Sequence, residues 1–240
     1  MYINMHVIIT GGSTGIGLAI AEKLVKTGAD ITLIARCKDK LADAKNKLGK
    51  LVTHLQQQID TLSIDVTNEE QVKTKLNALM QAKAAPNILI NCAGAAKPDY
   101  FENIPLSQFE QSVKLNLFGA RNMIASLLPY MEQRKDNKQN HIINVASIAG
   151  IIGVFGYTDY SASKFALIGF SEALRSELKP KGIKVSVLCP PDTDTPGFEA
   201  ENLSKPRETM AISESAKLMS AEEVAKYLMP YLFKNKFLII

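Results

Sequence analysis

The sequence has no tryptophan and only three histidines, and aromatic residues make up 7% of its 240 residues. So few aromatic side chains disfavour the stacking platforms that bind single-stranded nucleic acid. The net charge is +4, and the lysines and arginines are scattered rather than clustered. Because nucleic-acid binding needs a basic patch, no nucleic-acid partner is predicted.

Long apolar runs and paired cysteines are also missing. No window of about 18 apolar residues occurs, so no transmembrane helix is predicted. The first residues, MYINMHVIITGG, lack the basic region and cleavage site of a signal peptide. Cys37, Cys92 and Cys189 are far apart and have no CxxC spacing, which disfavours disulfides and zinc. We therefore expect a cytoplasmic chain without a metal site.

What the sequence does contain is a regular alternation of short apolar segments with longer amphipathic ones. Apolar residues make up 46% and charged residues 22%, as is usual for globular proteins. The apolar segments predict strands at 5–10, 31–35, 62–65, 87–91, 141–147, 183–189 and 237–240. Helices are predicted at 16–28, 38–58, from Asn68 onward, and at 106–133, 158–178 and 220–234.

Six or seven such strand–helix repeats predict an α/β fold of the Rossmann type, a doubly wound parallel sheet with helices on both faces. No linker divides residues 1–240, so we expect a single domain. Residues 190–219 contain four prolines and little periodicity, which predicts a long loop acting as a substrate lid. The apolar tail 227–240 favours a helix followed by a last strand, with a peripheral membrane contact as the alternative.

A glycine-rich turn, TGGSTGIG at 10–17, lies between the first strand and the first helix. Glycines allow a pyrophosphate to approach the backbone, and the helix N-terminus attracts its charge. The spacing differs from G-x-G-x-x-G and lacks the GK[ST] of a P-loop. Residues 11–15 also match the G-x-S-x-G turn of hydrolases. That interpretation is disfavoured, because His6, His54 and His141 leave the last two-fifths of the chain without a catalytic histidine.

The ends of the second and third strands carry charged residues suited to a dinucleotide. Where an acidic residue would bind a ribose 2′-hydroxyl, the sequence has Arg36 and Lys40. A basic residue at that position suits a 2′-phosphate and favours NADP(H) over NAD. The alternative is that both are ordinary solvated charges. Asp65 ends the third predicted strand, at the edge where a cofactor lies.

A set of polar residues predicts proton-transfer chemistry. Tyr160 and Lys164 are four residues apart and share one helix face. A nearby ammonium is expected to lower the pKa of the phenol, so that it can exchange a proton with a ketone or an alcohol. Ser147 and Asn91 end two predicted strands. Asn116 lies within a helix, where asparagine is unfavourable, which suggests a role beyond packing.

Together these motifs resemble the short-chain dehydrogenases/reductases over residues 5–235. The matching pieces are TGGSTGIG (10–17), Asp65-Val66, NCAG (91–94), Asn116, Ser147, YSASK (160–164) and Thr195. The resemblance implies that Tyr160 is the general acid and that Lys164 binds the nicotinamide ribose and lowers the pKa of Tyr160. It further implies that Ser147 binds the substrate carbonyl and that Asn116 holds a proton-relay water.

The same resemblance implies an NADP(H) site, no metal, and a homodimer or homotetramer formed through helices 106–133 and 158–178. The cofactor contacts it implies are Gly11, Ser13, Thr14, Gly15, Ile16, Gly17, Arg36, Lys40, Asp65, Val66, Asn91, Ala93, Gly94, Tyr160, Lys164, Pro190 and Thr195. Among these, Asn91, Ala93 and Gly94 would line the adenosine ribose, and Asp65 would contact the adenine.

Four stretches are similar to one branch of this family, the 3-ketodihydrosphingosine reductases. They are ARCKDKL (35–41), GVFGYTDYSASKFAL (153–167), PPDTDTPGFEAEN (190–202) and KPRET (205–209). This similarity implies NADPH-dependent reduction of a lipid-like ketone, the 3-keto group of a long-chain sphingoid base. The alternatives are another carbonyl substrate, such as a 3-oxoacyl thioester, a steroid or a small ketone, and a cofactor-binding regulator without catalysis.

Overall fold

The computed structural model describes residue 3, residues 5–134 and residues 139–240. The apolar segments form strands β1 (His6–Thr10), β2 (Asp30–Ala35), β3 (Ile59–Ser63), β4 (Ile88–Asn91), β5 (Asn140–Val145), β6 (Ile183–Leu188), β7 (Thr193–Asp194), β8 (Met219–Ser220) and β9 (Leu238–Ile239). Seven of them build one parallel sheet in the order β3-β2-β1-β4-β5-β6-β9. The two-residue strands β7 and β8 pair separately.

Helices cover both faces of this sheet. The α-helices of the described residues are α1 (Gly15–Val25), α2 (Lys38–Gly49), α3 (Glu69–Ala82), α4 (Leu106–Val113), α5 (Gly119–Glu132), α6 (Thr158–Leu178), α7 (Pro196–Asn202), α8 (Arg207–Ser215) and α9 (Ala221–Leu228). The apolar sides of α1, α2 and α9 share one core cluster with the sheet, and those of α3, α5 and α6 share the other. The predicted doubly wound α/β fold is therefore confirmed.

The strand order reverses between β1 and β4, which lie side by side at the centre of the sheet. All five residues of β1 are buried, because helices cover the sheet on both sides. In such sheets the helices that follow two neighbouring strands leave on opposite faces, and a crevice opens at the carboxyl edge. The fold therefore places a binding site beyond the ends of β1, β4 and β5.

The end of the chain forms a strand at the edge of the sheet. Leu238 pairs with Val187 and Ile239 pairs with Leu188, which confirms the predicted last strand. The helix before it is shorter than the predicted 220–234, because α9 ends at Leu228 and a 3₁₀ turn follows. Within the described part of the chain, no helix has the length and apolarity needed to cross a membrane.

Two predicted elements near the N-terminus have different bounds in the structure. The helix predicted over 38–58 ends at Gly49. The chain turns there because the Gln57 amide donates hydrogen bonds to the carbonyls of Val25 and Ala29, and Leu55 is left fully exposed. The strand predicted at 62–65 instead covers 59–63, where it pairs with residues 31–35 of β2.

Two longer predicted segments are also more structured than expected. The helix predicted over 106–133 consists of α4, a π-helical turn at Lys114–Phe118, and α5. The region predicted as an irregular loop, 190–219, contains α7, α8 and the short β7–β8 pair. We call residues 190–219 the lid below. Its helices are short, which explains why sequence periodicity did not reveal them.

Candidate active site

A cavity of about 530 Å³ opens at the carboxyl edge of the central strands. Its walls come from the glycine-rich turn after β1, the segments that follow β4 and β5, the start of α6, and the lid. These are the parts of the chain that carry the predicted motifs. The parallel sheet thus brings residues from distant parts of the sequence to one place.

The glycine-rich turn leaves the N-terminus of α1 open. A Cβ atom on Gly11 would lie 2.9 Å from the carbonyl oxygen of Cys92, and one on Gly17 would collide with Gly11. Thr14 precedes the helix but its side chain makes no capping hydrogen bond, and the first turn has no acidic residue. The first backbone N–H groups of α1 therefore remain available to an anion.

Ser147, Tyr160 and Lys164 line the same cavity and form what we call its floor. The Lys164 ammonium donates a hydrogen bond of 2.9 Å to the Val145 carbonyl and lies 5.5 Å from the centre of the Tyr160 ring. Ser147 lies two residues beyond β5, and its hydroxyl accepts a hydrogen bond from the backbone N–H of Ala149. The three side chains are therefore fixed to strand ends and to α6.

Burial governs the protonation of these groups. It raises the pKa of Tyr160 above its ordinary value, and the Glu201 carboxylate raises it further, whereas a hydrogen bond with Ser147 opposes the increase. The predicted lowering of the Tyr160 pKa by Lys164 is wrong for this arrangement, because desolvation prevails. Burial also lowers the pKa of Lys164 to about 8. Tyr160 is thus a protonated phenol at neutral pH.

Asn116 lies in the π-helical turn and is only 1% exposed. The Asn116 side-chain oxygen accepts a hydrogen bond of 3.1 Å from the Ala95 N–H. Its side-chain nitrogen donates hydrogen bonds to the Ala95 carbonyl at 3.1 Å and to the Ser163 hydroxyl at 3.0 Å. A Cβ on Gly94 would lie 2.9 Å from the Asn116 oxygen and 3.3 Å from the Lys164 nitrogen. Asn116 therefore joins the loop after β4 to α6, next to Lys164.

Asn91 is placed differently from the other predicted cofactor contacts. Ala93 and Gly94 line the cavity, but the Asn91 side chain is buried in the sheet, where it donates a hydrogen bond of 2.8 Å to Asn144. Asn144 in turn donates to the Ser171 hydroxyl at 2.8 Å. The side chain of Asn91 thus connects β4 to β5 and α6. The resemblance implied that it contacts the cofactor, but the side chain does not line the cavity.

Arg36 and Asp65 come together at a second, smaller cavity of about 340 Å³. The Asp65 carboxylate accepts hydrogen bonds from the backbone N–H and the hydroxyl of Thr67. The Arg36 guanidinium is exposed and has no ion pair or hydrogen bond with any residue in the described ranges. Lys40 is exposed on α2 and lines neither cavity, and Val66 is 4% exposed.

The lid lines the large cavity together with the floor. Thr195 caps α7 by accepting a hydrogen bond of 3.1 Å from the Phe198 N–H, and its methyl group lies close to Gly15. Pro190 lines the cavity, and its carbonyl accepts a hydrogen bond from Ile148. Both predicted residues therefore lie where the lid meets the glycine-rich turn and the segment after β5.

Tyr157 and Glu201 are cavity residues that the sequence analysis missed. The Tyr157 hydroxyl donates a hydrogen bond of 2.9 Å to Glu201, and its ring centre lies 5.6 Å from that of Tyr160. Tyr157 could have been found from its spacing, because it lies three residues before Tyr160 at the start of α6. Nothing in the sequence pattern pointed to Glu201.

The residues present fit a nicotinamide dinucleotide. The open helix N-terminus and its glycine turn suit a pyrophosphate, Arg36 suits a phosphate at one end, and Tyr160 with Lys164 suits proton transfer at the other. The chain offers a protonated phenol beside an ammonium and a serine hydroxyl. That combination can bind and protonate a carbonyl oxygen.

Comparison with known proteins agrees with this geometry. A family model described as short chain dehydrogenase matches residues 5–206. The chain is 40% identical to a 3-ketodihydrosphingosine reductase of Bos taurus over 222 residues, which cover 92% of this chain and 66% of the relative. It is 41% identical to one of Dictyostelium discoideum, covering 92% of this chain and 70% of the relative. The chain thus spans about two thirds of the length of these relatives.

Solved structures show the same fold. Levodione reductase superposes with a TM-score of 0.88 at 22% identity, covering 100% of this chain and 96% of the other. A short chain dehydrogenase/reductase from Burkholderia phymatum, in complex with NAD, superposes with a TM-score of 0.86 at 23% identity, covering 99% and 89%. From the family match over 5–206 and these relatives, the chain belongs to the short-chain dehydrogenase family.

Proposed function

We propose that the protein is an NADPH-dependent reductase of the 3-keto group of a long-chain sphingoid base. The observation that carries the proposal is the floor of the cavity, where Tyr160 lies beside Lys164 and Ser147. The names of its relatives, 3-ketodihydrosphingosine reductase at 40% and 41% identity, support the substrate class.

The nicotinamide cofactor supplies the hydride when it is bound. In the proposed mechanism the Ser147 hydroxyl donates a hydrogen bond to the ketone oxygen and fixes its position. Tyr160 transfers its phenolic proton to that oxygen as negative charge develops on it. Burial raises the pKa of Tyr160, so the phenol holds its proton until negative charge has developed on the ketone oxygen.

Lys164 stabilises the phenolate that remains after the proton has left Tyr160. Its ammonium is 5.5 Å from the ring centre, and the Val145 carbonyl holds it in place. Because the pKa of Lys164 is about 8, the side chain is charged in most molecules at neutral pH. We assign it a second role in binding the ribose next to the nicotinamide. Asn116, beside Lys164, holds the water through which the proton on Tyr160 is replaced.

The choice of NADPH over NADH rests on the other end of the site. The open N-terminus of α1 binds the pyrophosphate, and Asp65 lies at the second cavity with Arg36. Arg36 is free to form a bidentate contact with a 2′-phosphate, and Lys40 adds positive charge from α2. This assignment is supported by the exposed guanidinium and by the absence of an acidic residue at the end of β2.

We also propose a homodimer or homotetramer formed through α4, α5 and α6. Phe118 and Phe165, on the π-helical turn and on α6, are 48% and 46% exposed. Large apolar side chains that face solvent on neighbouring helices favour a contact with another copy. Measurement of molecular mass in solution tests this, and a monomer would contradict it.

The substrate assignment is tested by NADPH oxidation with two alternatives side by side. The purified chain is given 3-ketodihydrosphingosine in detergent micelles and, separately, an acetoacetyl thioester. We expect a higher kcat/KM for the sphingoid ketone. A higher value for the thioester would contradict the proposal and support a 3-oxoacyl thioester reductase.

A further inference from the structure

The lid brings a carboxylate close to the proton donor. Glu201 lies on α7 and lines the cavity that contains Tyr160. The Tyr157 hydroxyl, in a side chain only 6% exposed, holds one carboxylate oxygen of Glu201 at 2.9 Å. Because the rings of Tyr157 and Tyr160 are neighbours, with centres 5.6 Å apart, Glu201 is separated from the reacting centre by one side chain.

The negative charge of this carboxylate is only partly compensated. Among the residues that the structure describes, Glu201 forms no ion pair, and its second oxygen has no hydrogen-bond partner. Lys205 follows on the lid, where its ammonium lies 3.7 Å from the centre of the Phe198 ring and donates a hydrogen bond to Ser213. It does not contact the Glu201 carboxylate directly, but its charge opposes the increase in the Glu201 pKa. A partly buried carboxylate is unfavourable without a compensating charge. Burial accordingly raises the pKa of Glu201.

The lining of the cavity holds two carboxylates and one ammonium, and the nearby Lys205 ammonium also acts on both carboxylates through its charge. The charged side chains along its described lining are Lys164, Asp192 and Glu201. Asp192 is close enough to raise the pKa of Tyr160 and Tyr157 through its charge. Two carboxylates on the lining favour a ligand with a cationic group near the carbonyl over one with an anionic carrier.

We propose that Glu201, oriented by Tyr157, binds the ammonium group on the carbon next to the reacting ketone, with Asp192 as a second negative charge. The inference rests on the proposed function and deepens it, because a 3-keto sphingoid base carries a primary amine at that carbon. A 3-oxoacyl thioester has no such amine, and its usual carriers are anionic. Glu201 is then the residue that selects an amino ketone among ketones.

The test compares an amino ketone with its des-amino analogue. The wild-type chain and Glu201→Gln are assayed with NADPH on 3-ketodihydrosphingosine and on 1-hydroxyoctadecan-3-one, which has the same chain, hydroxyl and ketone but no amine. The glutamine still accepts the Tyr157 hydrogen bond and lacks the charge. We expect Glu201→Gln to lower kcat/KM for the amino ketone roughly 10–100-fold, mainly through KM, the range for a charged hydrogen bond.

For the des-amino ketone we expect a much smaller change, because the variant removes no contact with it, and the loss of the Glu201 charge acts on the pKa of Tyr160 equally for both ketones. Glu199→Gln is the matched control. It makes the same substitution on α7, at an exposed position outside the cavity. We expect this variant to reduce both substrates at the wild-type rate. The second variant is Asp192→Asn. We expect it to lower kcat/KM for the amino ketone by a smaller factor and to leave kcat/KM for the des-amino ketone unchanged. Circular dichroism and NADPH binding confirm that each variant is folded.

The outcomes separate the two proposals. If the amino ketone is reduced but Glu201→Gln slows both ketones equally, Glu201 only fastens the lid and the ammonium site is overturned. The same follows if Glu201→Gln slows neither. If wild type reduces the thioester or the des-amino ketone in preference to the amino ketone, or reduces none of them, the proposed function itself is overturned and the ammonium site with it.

Discussion

The floor and the lid of the cavity are built in opposite ways. On the floor, Lys164 is 4% exposed, and the neighbouring Asn144 and Ser163 are completely buried. The lid has Leu203 at 90% exposure, and side-chain hydrogen bonds fasten it, among them Tyr157 to Glu201 and Tyr100 to Glu208. A region with few buried contacts opens at low cost in free energy. In the proposed mechanism the rigid floor performs the chemistry and the weakly attached lid selects the substrate.

The largest effect is expected on the floor. Tyr160→Phe removes the proton donor and should lower kcat on the order of 10³-fold, within the range for a general acid. NADPH affinity should remain within about twofold, because only one hydroxyl is lost. Pre-steady-state reduction and NADPH fluorescence titration measure the two quantities. Tyr130→Phe, which loses a hydroxyl bonded to Asn77 away from the cavity, is the control. Retention of more than about a tenth of the activity would exclude Tyr160 as the acid.

The sheet beneath the floor should lose stability in acid. His141 in β5 is completely buried and bonded to the Leu232 carbonyl and the Ser186 hydroxyl. Burial lowers its pKa from 6.5 to about 4. The unfolded chain binds a proton below pH 6.5 but the folded chain does not, so stability falls as the pH falls from 6.5 to 4.

From this shift, His141 should cost about 2 kcal/mol of unfolding free energy between pH 7 and pH 5. Urea unfolding at both pH values measures it, and His141→Gln, which does not titrate, should show a smaller difference. Equal pH dependence in the two proteins would mean that His141 is not the titrating group.

Arg36 lies outside both regions and should affect neither chemistry nor selection of the ketone. Arg36→Ala should weaken NADPH binding roughly 10–100-fold, the range for a charged hydrogen bond, and leave NADH binding almost unchanged. Fluorescence titration with both nucleotides measures this. Lys38→Ala, which removes an exposed charge two residues away, is the control. An equal loss for both nucleotides would show that Arg36 does not bind the 2′-phosphate.

The smallest effect is expected where the lid is fastened to the floor. Tyr157→Phe removes the hydrogen bond to Glu201 and should lower kcat/KM for the sphingoid ketone about fivefold, the equivalent of about 1 kcal/mol. The change should fall on KM, because the Tyr160 proton is not affected. Tyr100→Phe, which loses a more peripheral bond to Glu208, should change it less. A drop in kcat alone would place Tyr157 in the chemistry rather than in the lid.

The parts of the site that the sequence predicted are those in which residue type and strand position coincide. Glycines after β1, and Tyr160 with Lys164 on one helix, can be recognised because their spacing is fixed by local geometry. The buried strands could be predicted because apolar, β-branched residues fill them from end to end. The family resemblance added roles for residues, such as Ser147, whose position alone says little.

The rest depended on contacts between distant residues. The end of α2 is set by Gln57 bonding to residues about 30 positions earlier, which no periodicity reveals. The side chain of Asn91 turns into the sheet because Asn144 lies beside it. The helices of the lid are short, and α7 begins at a proline capped by Thr195. Glu201 reaches Tyr157 across 44 residues of chain, so its place in the cavity required the structure.

The division of work between floor and lid is tested most directly by one set of kinetic measurements. Wild type, Tyr160→Phe and Glu201→Gln are assayed with NADPH on 3-ketodihydrosphingosine and on its des-amino analogue. We predict that Tyr160→Phe lowers kcat for both ketones by the same factor, whereas Glu201→Gln raises KM for the amino ketone alone. The reverse pattern, a substrate-dependent loss in Tyr160→Phe or an equal loss for both ketones in Glu201→Gln, would contradict it.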